Sequence, residues 1–414
     1  MGLNDTPQGE RTHIAFFGLR NAGKSSLINA ITNQNLSIVS DMPGTTTDPV
    51  RKAMEILPIG PCMLFDTPGL DDEGTLGTLR VEKAFEVLQH TDLVVLVHTC
   101  KNKENTSFEE DLLNRCKKRD IPVLHVINKC DLMDPGEERC DAQGTSADND
   151  PSEWICVSAK TRFHIEELKN TMASVLMKAK EAKETRFLVR DLVQKEDLVV
   201  LVIPIDSSAP KGRLILPQQQ VLRDLLEAHA EILTVDPNEL DHVFTVFSPK
   251  LVITDSQIFD TVSQKTPESV LLTSFSILMA RYKGYLEDAV RGISNIADLK
   301  DKDCILIAEG CTHHRQCEDI GTVKIPRWLT QKTGKQLKFE ATQGNSYPND
   351  LKKYAQIVLC GGCMLNAREM EARVLRAKEA KIPVTNYGIL IAYMRGILKR
   401  SIEIFPDLMP LLPA

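Results

Sequence analysis

The sequence predicts an α/β protein in three parts, spanning 1–184, 185–264 and 265–414. Three observations carry this. Short apolar runs rich in Val, Ile and Leu alternate with segments of helical spacing along the chain, the pattern of strands crossed over by helices. Glycine-rich turns and cysteines fall directly after those runs, where open α/β sheets collect ligand sites. The length of 414 residues also exceeds what a single core serves, by the soft prior of roughly 150 residues per domain.

The composition is that of a globular chain, with 42% hydrophobic and 26% charged residues. Its apolar runs fall short of the ~20 residues that span a bilayer, so no membrane is expected. MGLNDTPQGE lacks a basic flank and an apolar core, and a cytoplasmic chain is expected. MGLNDT fits the loose N-myristoylation pattern but reads as a solvated tail. A net charge of −7 argues against nucleic acid as the main partner, because phosphate neutralisation needs a basic face. Eleven cysteines in a reducing compartment point to buried, reactive or metal-binding thiols. Cys62, Cys116, Cys130 and Cys156 sit singly and read as small core or surface residues.

The first part opens on HIAFFGLRNAGKSSLINAIT, an apolar strand, a glycine turn and a helix. Gly18 to Ser25 fits G-x-x-x-x-G-K-[ST], a phosphate loop whose backbone N–H groups at Asn21, Ala22, Gly23, Lys24, Ser25 and Ser26 surround an anion. Lys24 supplies charge to the β- and γ-phosphates, the Ser25 hydroxyl is a Mg²⁺ ligand, and the helix N-terminus favours negative charge. MLFDTPGL ends a second strand in Asp66-Thr67-Pro68-Gly69, where Asp66 can hold Mg²⁺ through water and the Gly69 N–H can sense a γ-phosphate. Another strand ends in Asn128-Lys129-Cys130-Asp131, and an Asp131 carboxylate can accept the N1–H and exocyclic amine of guanine. Ser158-Ala159-Lys160 follows a further strand, where loop N–H groups can contact the guanine O6.

This ordered set, with the threonine-rich SDMPGTTTDPV between its first two motifs, resembles the TrmE-Era-type GTPases over about residues 10 to 180. The resemblance makes Thr46 the switch threonine that closes over Mg²⁺. Lys24, Thr46, Asp66 and Gly69 then form the catalytic set for GTP hydrolysis. Leu70 stands where Ras-like enzymes carry the glutamine that positions water, so glutamine-based catalysis is absent. Asn21 resembles the asparagine that holds K⁺ beside the phosphates in potassium-activated members, and slow intrinsic hydrolysis accelerated by K⁺ is expected.

The helical segment after Lys160 ends in a charged stretch, which places a boundary near 184. Next come DLVVLVIPID as a strand, LPQQQVLRDLLEAHAEI as a helix, HVFTVFSPKLVIT as strand-like and DSQIFDTVSQ as a helix. Asp206 and Lys211 read as solvated turn residues. A small module without chemistry between two that have it suggests homodimerisation.

From about 265, VLLTSFSIL, DCILIAEG, AQIVLC and IPVTNYG read as strands of a second doubly wound sheet. Cys311 follows the second of these, and Cys360-Gly361-Gly362-Cys363 follows the third. If those two strands are neighbours, three thiolates converge, with glycines allowing a bulky ligand close to the backbone and a helix beginning near Asn366 favouring an anion. Structural zinc normally takes four ligands from two short-spaced pairs, and a redox dithiol normally carries other flanking residues. A 4Fe-4S cluster with three thiolates and one exchangeable position is chemically reasonable.

The GTPase motifs, the middle module and the C-x-H followed by C-G-G-C together resemble the family of FeFe-hydrogenase maturation GTPases, HydF, over essentially the whole chain. The resemblance implies a dimeric scaffold with a 4Fe-4S cluster on Cys311, Cys360 and Cys363. It also implies that a transient diiron precursor comes from two radical-SAM maturases and goes to apo FeFe-hydrogenase, with GTP hydrolysis regulating partner exchange. Family members often carry histidine directly before the C-x-x-C, but Leu359 stands here. The fourth iron position is therefore open, or filled by His313, His314, Glu318, Cys317 or an outside molecule, and His313 leads because it matches the C-x-H position. Two other classes compete: a tRNA- or ribosome-acting GTPase, and a GTP-regulated zinc or redox protein.

Overall fold

A computed structural model of the chain describes residues 6–33, 50–69, 81, 83–100, 107–132, 154–181, 186–205, 214–310 and 319–413. They fall into two units, Met1–Thr185 and Arg186–Ala414. Asp206 and Lys211, read as solvated, lie outside the described residues.

The first unit is a six-stranded sheet of Thr12–Phe17 (β1), Val50–Ile56 (β2), Gly60–Asp66 (β3), Leu93–Thr99 (β4), Val123–Asn128 (β5) and Trp154–Cys156 (β6), in the order β2-β3-β1-β4-β5-β6. All neighbours are parallel except β2 and β3. β1 is buried throughout, as a strand covered on both faces must be, and its alternate residues feed separate cores. Ile14 and Phe16 pack with Leu27, Ile28, Leu168 and Met172 under the helices Lys24–Thr32 and Ile165–Glu181. Ala15 and Phe17 pack on the other face with Leu112 and Cys116 of Ser107–Lys118. Cys62, Cys116 and Cys156 are buried core residues, and burial pushes the Cys62 thiol up to about 11 and that of Cys116 to about 12.

The second unit has two all-parallel sheets. Leu198–Val202 (β7), Glu231–Val235 (β8), Leu251–Thr254 (β9) and Leu271–Ser274 (β10) form one, ordered β10-β9-β7-β8. Cys304–Ala308 (β11), Lys338–Thr342 (β12), Gln356–Leu359 (β13) and Val384–Asn386 (β14) form the other, ordered β12-β11-β13-β14. One hydrophobic cluster running from Leu188 to Phe405 serves both sheets.

Three sequence assignments are corrected here. The run VLLTSFSIL contributes only Leu271–Ser274 as a strand, and this strand pairs with β9 in the first sheet rather than opening the second. Ser274 then caps a helix by accepting from Ile277 N–H, so Phe275–Tyr282 leaves the sheet. HVFTVF is helical over Leu240–Val246, because Leu240 and Val243 are buried at helical spacing, which overrides their β-branched neighbours. The helix assigned through Ile232 stops at Glu227; His229, at φ 55, breaks it, and Glu231–Val235 pairs with β7 as a strand instead. β12 was missed because it is a polar edge strand with a single partner, β11. No helix among the described residues is long and apolar enough to cross a membrane.

Candidate nucleotide and cysteine sites

The phosphate loop is shaped by two glycines that admit no side chain. Gly18 has φ 147 and a Cβ there would meet the Val97 carbonyl oxygen at 2.3 Å, while Gly23 has φ 93 and its Cβ would meet Asn128 Nδ2 at 2.3 Å. Asn21 between them is left-handed at φ 62, a conformation asparagine tolerates. Its carbonyl accepts Lys129 Nζ at 2.6 Å, and its side chain lies in an exposed position. Lys24 is buried and donates to the carbonyls of Gly18 at 2.9 Å and Leu19 at 3.0 Å, which folds its ammonium over the loop. Ala22 is buried, whereas Ser25 and Ser26 are exposed at the start of the helix.

Asp66 ends β3 opposite this helix. Burial raises its carboxyl above the usual range, opposed by a hydrogen bond from Ser25 and the charges of Lys24 and Lys52. Its Oδ1 is buried without a hydrogen-bond partner, the mark of an oxygen placed for a cation. Ser25 and Asp66 therefore fit Mg²⁺ in chemistry and position. Thr67 ties the strand end down by donating to the Phe16 carbonyl at 2.6 Å, and Gly69 lies just beyond. Thr46 and Leu70 lie outside the described residues.

On the base side, Asn128 is buried and joins three motifs: Nδ2 donates to the Ala22 carbonyl at 3.0 Å, and Oδ1 accepts from Ala159 N–H at 3.1 Å. Ser158 Oγ donates to Asp131 Oδ1 at 2.6 Å and accepts from Thr161 N–H at 3.1 Å. The Asp131 carboxylate is thus oriented while remaining exposed, and Lys160 is exposed beside it. Sequence reasoning missed Lys52 and Asn29, which hydrogen-bond each other. VRKAMEI carries no alternation that would mark Lys52, and only pairing with β3 puts Lys52 on the same sheet face as Asp66.

The cysteine site lies at the carboxyl end of the second sheet of the other unit. β11 and β13 are neighbours with Ala308 opposite Leu359, as the convergence of the cysteines requires. Cys360 N–H donates to the Ala308 carbonyl at 3.1 Å. Its Sγ accepts from Gly310 N–H at 2.9 Å and from Gly362 N–H at 3.3 Å. Two backbone donors on one sulfur stabilise a thiolate. Gly362 has φ 63, and a Cβ there would strike Met370 Sδ at 2.7 Å. Tyr285 Oη donates to the Cys360 carbonyl at 3.1 Å, and the buried Lys283 donates to the Leu365 carbonyl at 2.8 Å. Sequence reasoning missed both of these anchors, since nothing in MARYKGYLED separates a buried lysine from a solvated one. Burial and Cys360 push the Cys363 thiol up to about 11, with Lys283 opposing. Asn366 caps the following helix, Ala367–Glu379, by accepting from Glu369 N–H at 3.0 Å. Inside that helix Arg373 donates to Glu369 at 2.9 Å and to the Gly344 carbonyl at 2.7 Å, both side chains buried. Leu359 points into the core and is fully buried.

Cys311, His313, His314, Cys317 and Glu318 lie outside the described residues, and among the described ones no group of three or more metal-ligating side chains occurs. Gly310, which precedes Cys311, is nevertheless already bonded to Cys360. Paired thiols, amide donors to sulfur and a left-handed glycine with no room for a side chain fit thiolate ligation of iron.

Residues 13–129 match the family model of 50S ribosome-binding GTPases, 188–284 that of the hydrogen maturase F dimerization domain, and 287–404 that of the hydrogen maturase F tetramerization domain. The tRNA modification GTPase MnmE of Desulfitobacterium hafniense (strain Y51) is 27% identical over 236 residues, 56% of this chain and 50% of that protein. The chloroplastic ERA-like GTPase of Oryza sativa subsp. japonica is 33% identical over 181 residues, 42% of each chain. The chain thus spans about half the length of the curated relatives it matches. Among solved structures, a point variant of Aquifex aeolicus Era bound to GDP.AlF4- is 21% identical with a TM-score of 0.33, covering 54% of this chain and 92% of that one. Fold and site together define a P-loop GTPase domain of the TrmE-Era type. Behind it stand the two domains specific to hydrogen maturase F, in order, and the chain belongs to the hydrogen maturase F family.

Proposed function

We propose that this chain hydrolyses GTP and serves as a 4Fe-4S scaffold that carries the diiron precursor of the hydrogenase active site. The observation that carries the reading is the combination of a guanine-nucleotide site with paired thiols at a strand end inside the hydrogen maturase F domains. The expected divisions, 1–184, 185–264 and 265–414, correspond to nucleotide binding, dimerisation and cluster binding, with Leu271–Ser274 moved to the second because it pairs with β9.

In the nucleotide site Asp131 and the Ser158-Ala159-Lys160 loop select guanine. The amides from Asn21 to Ser26 and the Lys24 ammonium hold the phosphates, and the Gly69 N–H reads the γ-phosphate. Ser25, Asp66 and Thr46 would hold Mg²⁺, which neutralises charge on the phosphate oxygens. Asn21, whose own carbonyl is occupied by Lys129, would offer its side chain to K⁺. GTP hydrolysis is expected to run on the order of 10²-fold faster in potassium than in sodium buffer, the low end of what one charge-stabilising contact supplies. Equal rates would remove Asn21 from this role.

In the cluster domain Cys360, Cys363 and Cys311 would supply thiolates, with His313 the leading candidate for the fourth position. The cargo is then passed between two radical-SAM maturases and apo FeFe-hydrogenase by a homodimer. Anaerobic protein co-expressed with the maturases is expected to activate apo-hydrogenase and to show an EPR signal after reduction. Colourless, zinc-loaded protein would favour a zinc or redox role. Ribonuclease-sensitive absorbance at 260 nm would favour the RNA-linked functions named for the relatives.

A further inference from the structure

We propose that Lys52 is a built-in competitor of Mg²⁺ at the nucleotide site, a fixed cation that balances Asp66 and weakens metal binding. This rests on the reading of Ser25 and Asp66 as the metal ligands. Lys52 pairs with Leu64 across the antiparallel β2-β3 ladder, and Val50 pairs with Asp66. Lys52 and Asp66 are therefore diagonal neighbours on one face of the sheet, within reach of a long side chain. The Lys52 ammonium donates to Asn29 Oδ1. Asn29 lies four residues after Ser25 on the helix Lys24–Thr32, so the two share a helix face. Ser25 in turn hydrogen-bonds Asp66. Asn29, Lys52, Asp66 and Ser25 thus stand together at the end of β3, with Asp66 Oδ1 buried and without a hydrogen-bond partner.

A side chain held this way has a direct electrostatic effect. Asp66 interacts favourably with Lys52 before any metal arrives, and a divalent ion entering between Ser25 and Asp66 meets a like charge held in place by Asn29. Both effects lower metal affinity and fall off with distance. Neither requires Lys52 to touch the nucleotide. The metal then leaves the GDP state readily, and nucleotide exchange through the metal-free form becomes easier.

The test loads the full-length protein with fluorescent methylanthraniloyl-GDP and titrates MgCl2 alone at constant ionic strength. K52Q is expected to shift the Mg²⁺ midpoint about tenfold lower than the parent's and to slow GDP release at sub-saturating Mg²⁺. K52R keeps the charge and is expected to titrate like the parent. N29A keeps the charge but removes its anchor, and is expected to move the midpoint part of the way in the same direction, an independent check should K52Q not fold. Parent-like midpoints in K52Q and N29A, or a weaker one in K52Q, would overturn the proposal. So would loss of GDP binding by K52Q in EDTA, which would place Lys52 on the phosphates. A parent that binds GDP but shows no Mg²⁺ response would overturn the metal assignment itself and this inference with it.

Discussion

Asp131→Asn is expected to change the nucleotide this protein accepts, lowering its affinity for GTP on the order of 10⁴-fold, the loss seen when a site built to hydrogen-bond one group faces another. Asp131 is exposed, and its Oδ1 is held by Ser158. Ser158 is itself oriented by Thr161 N–H, so its hydroxyl proton stays aimed at residue 131 in the variant. The asparagine carbonyl then keeps Ser158 and the base N1–H, while its NH₂ meets the guanine amine, donor against donor. Xanthine carries an oxygen at that position, and xanthosine triphosphate is expected to recover binding and turnover. Competition binding with both nucleotides decides the matter: a variant that still prefers GTP would mean Asp131 does not read the base.

Cys360→Ser is expected to abolish the 4Fe-4S signal while leaving a folded protein. Serine preserves an acceptor for the N–H groups of Gly310 and Gly362, whereas alanine would strand two donors at about 1–3 kcal/mol each and confuse ligand loss with destabilisation. Cys304→Ser is the matched control, because Cys304 begins β11, at the end of the strand away from Gly310. EPR after anaerobic reconstitution and reduction should show the signal in the control and none in C360S, with circular dichroism confirming that both fold. An unaltered signal in C360S would remove Cys360 from the ligand set.

The nucleotide motifs were legible because each is a short contiguous run whose local geometry is dictated by its own residues. Gly18 and Gly23 are glycine since a Cβ would collide with Val97 and Asn128. The strand ends that carry Asp66 and Asn128 are continuous apolar runs, readable without a partner. The Cys360-Gly361-Gly362-Cys363 turn was legible in the same way. Less legible was the middle of the chain, where HVFTVF became helix and Leu271–Ser274 joined the preceding sheet. There the local pattern was ambiguous and burial against distant elements decided the outcome.

By itself, the sequence determined the chemistry of the candidate sites: a phosphate-loop motif, a carboxylate proposed to read guanine, and thiols placed after strands. Tertiary structure alone decided which distant groups act on them. Lys52 shares a sheet face with Asp66 only through the β2-β3 register, and Asn128 bridges Ala22 and Ala159 only because three strand ends meet at one sheet edge. Gly310 meets Cys360 only because β11 and β13 are adjacent, and Lys283 holds the Leu365 carbonyl from more than eighty positions away in the chain. The physical reason is the same in each case: a motif needs only its own backbone conformation, whereas electrostatic and hydrogen-bond neighbours across a sheet depend on strand order and register, which the packed cores impose.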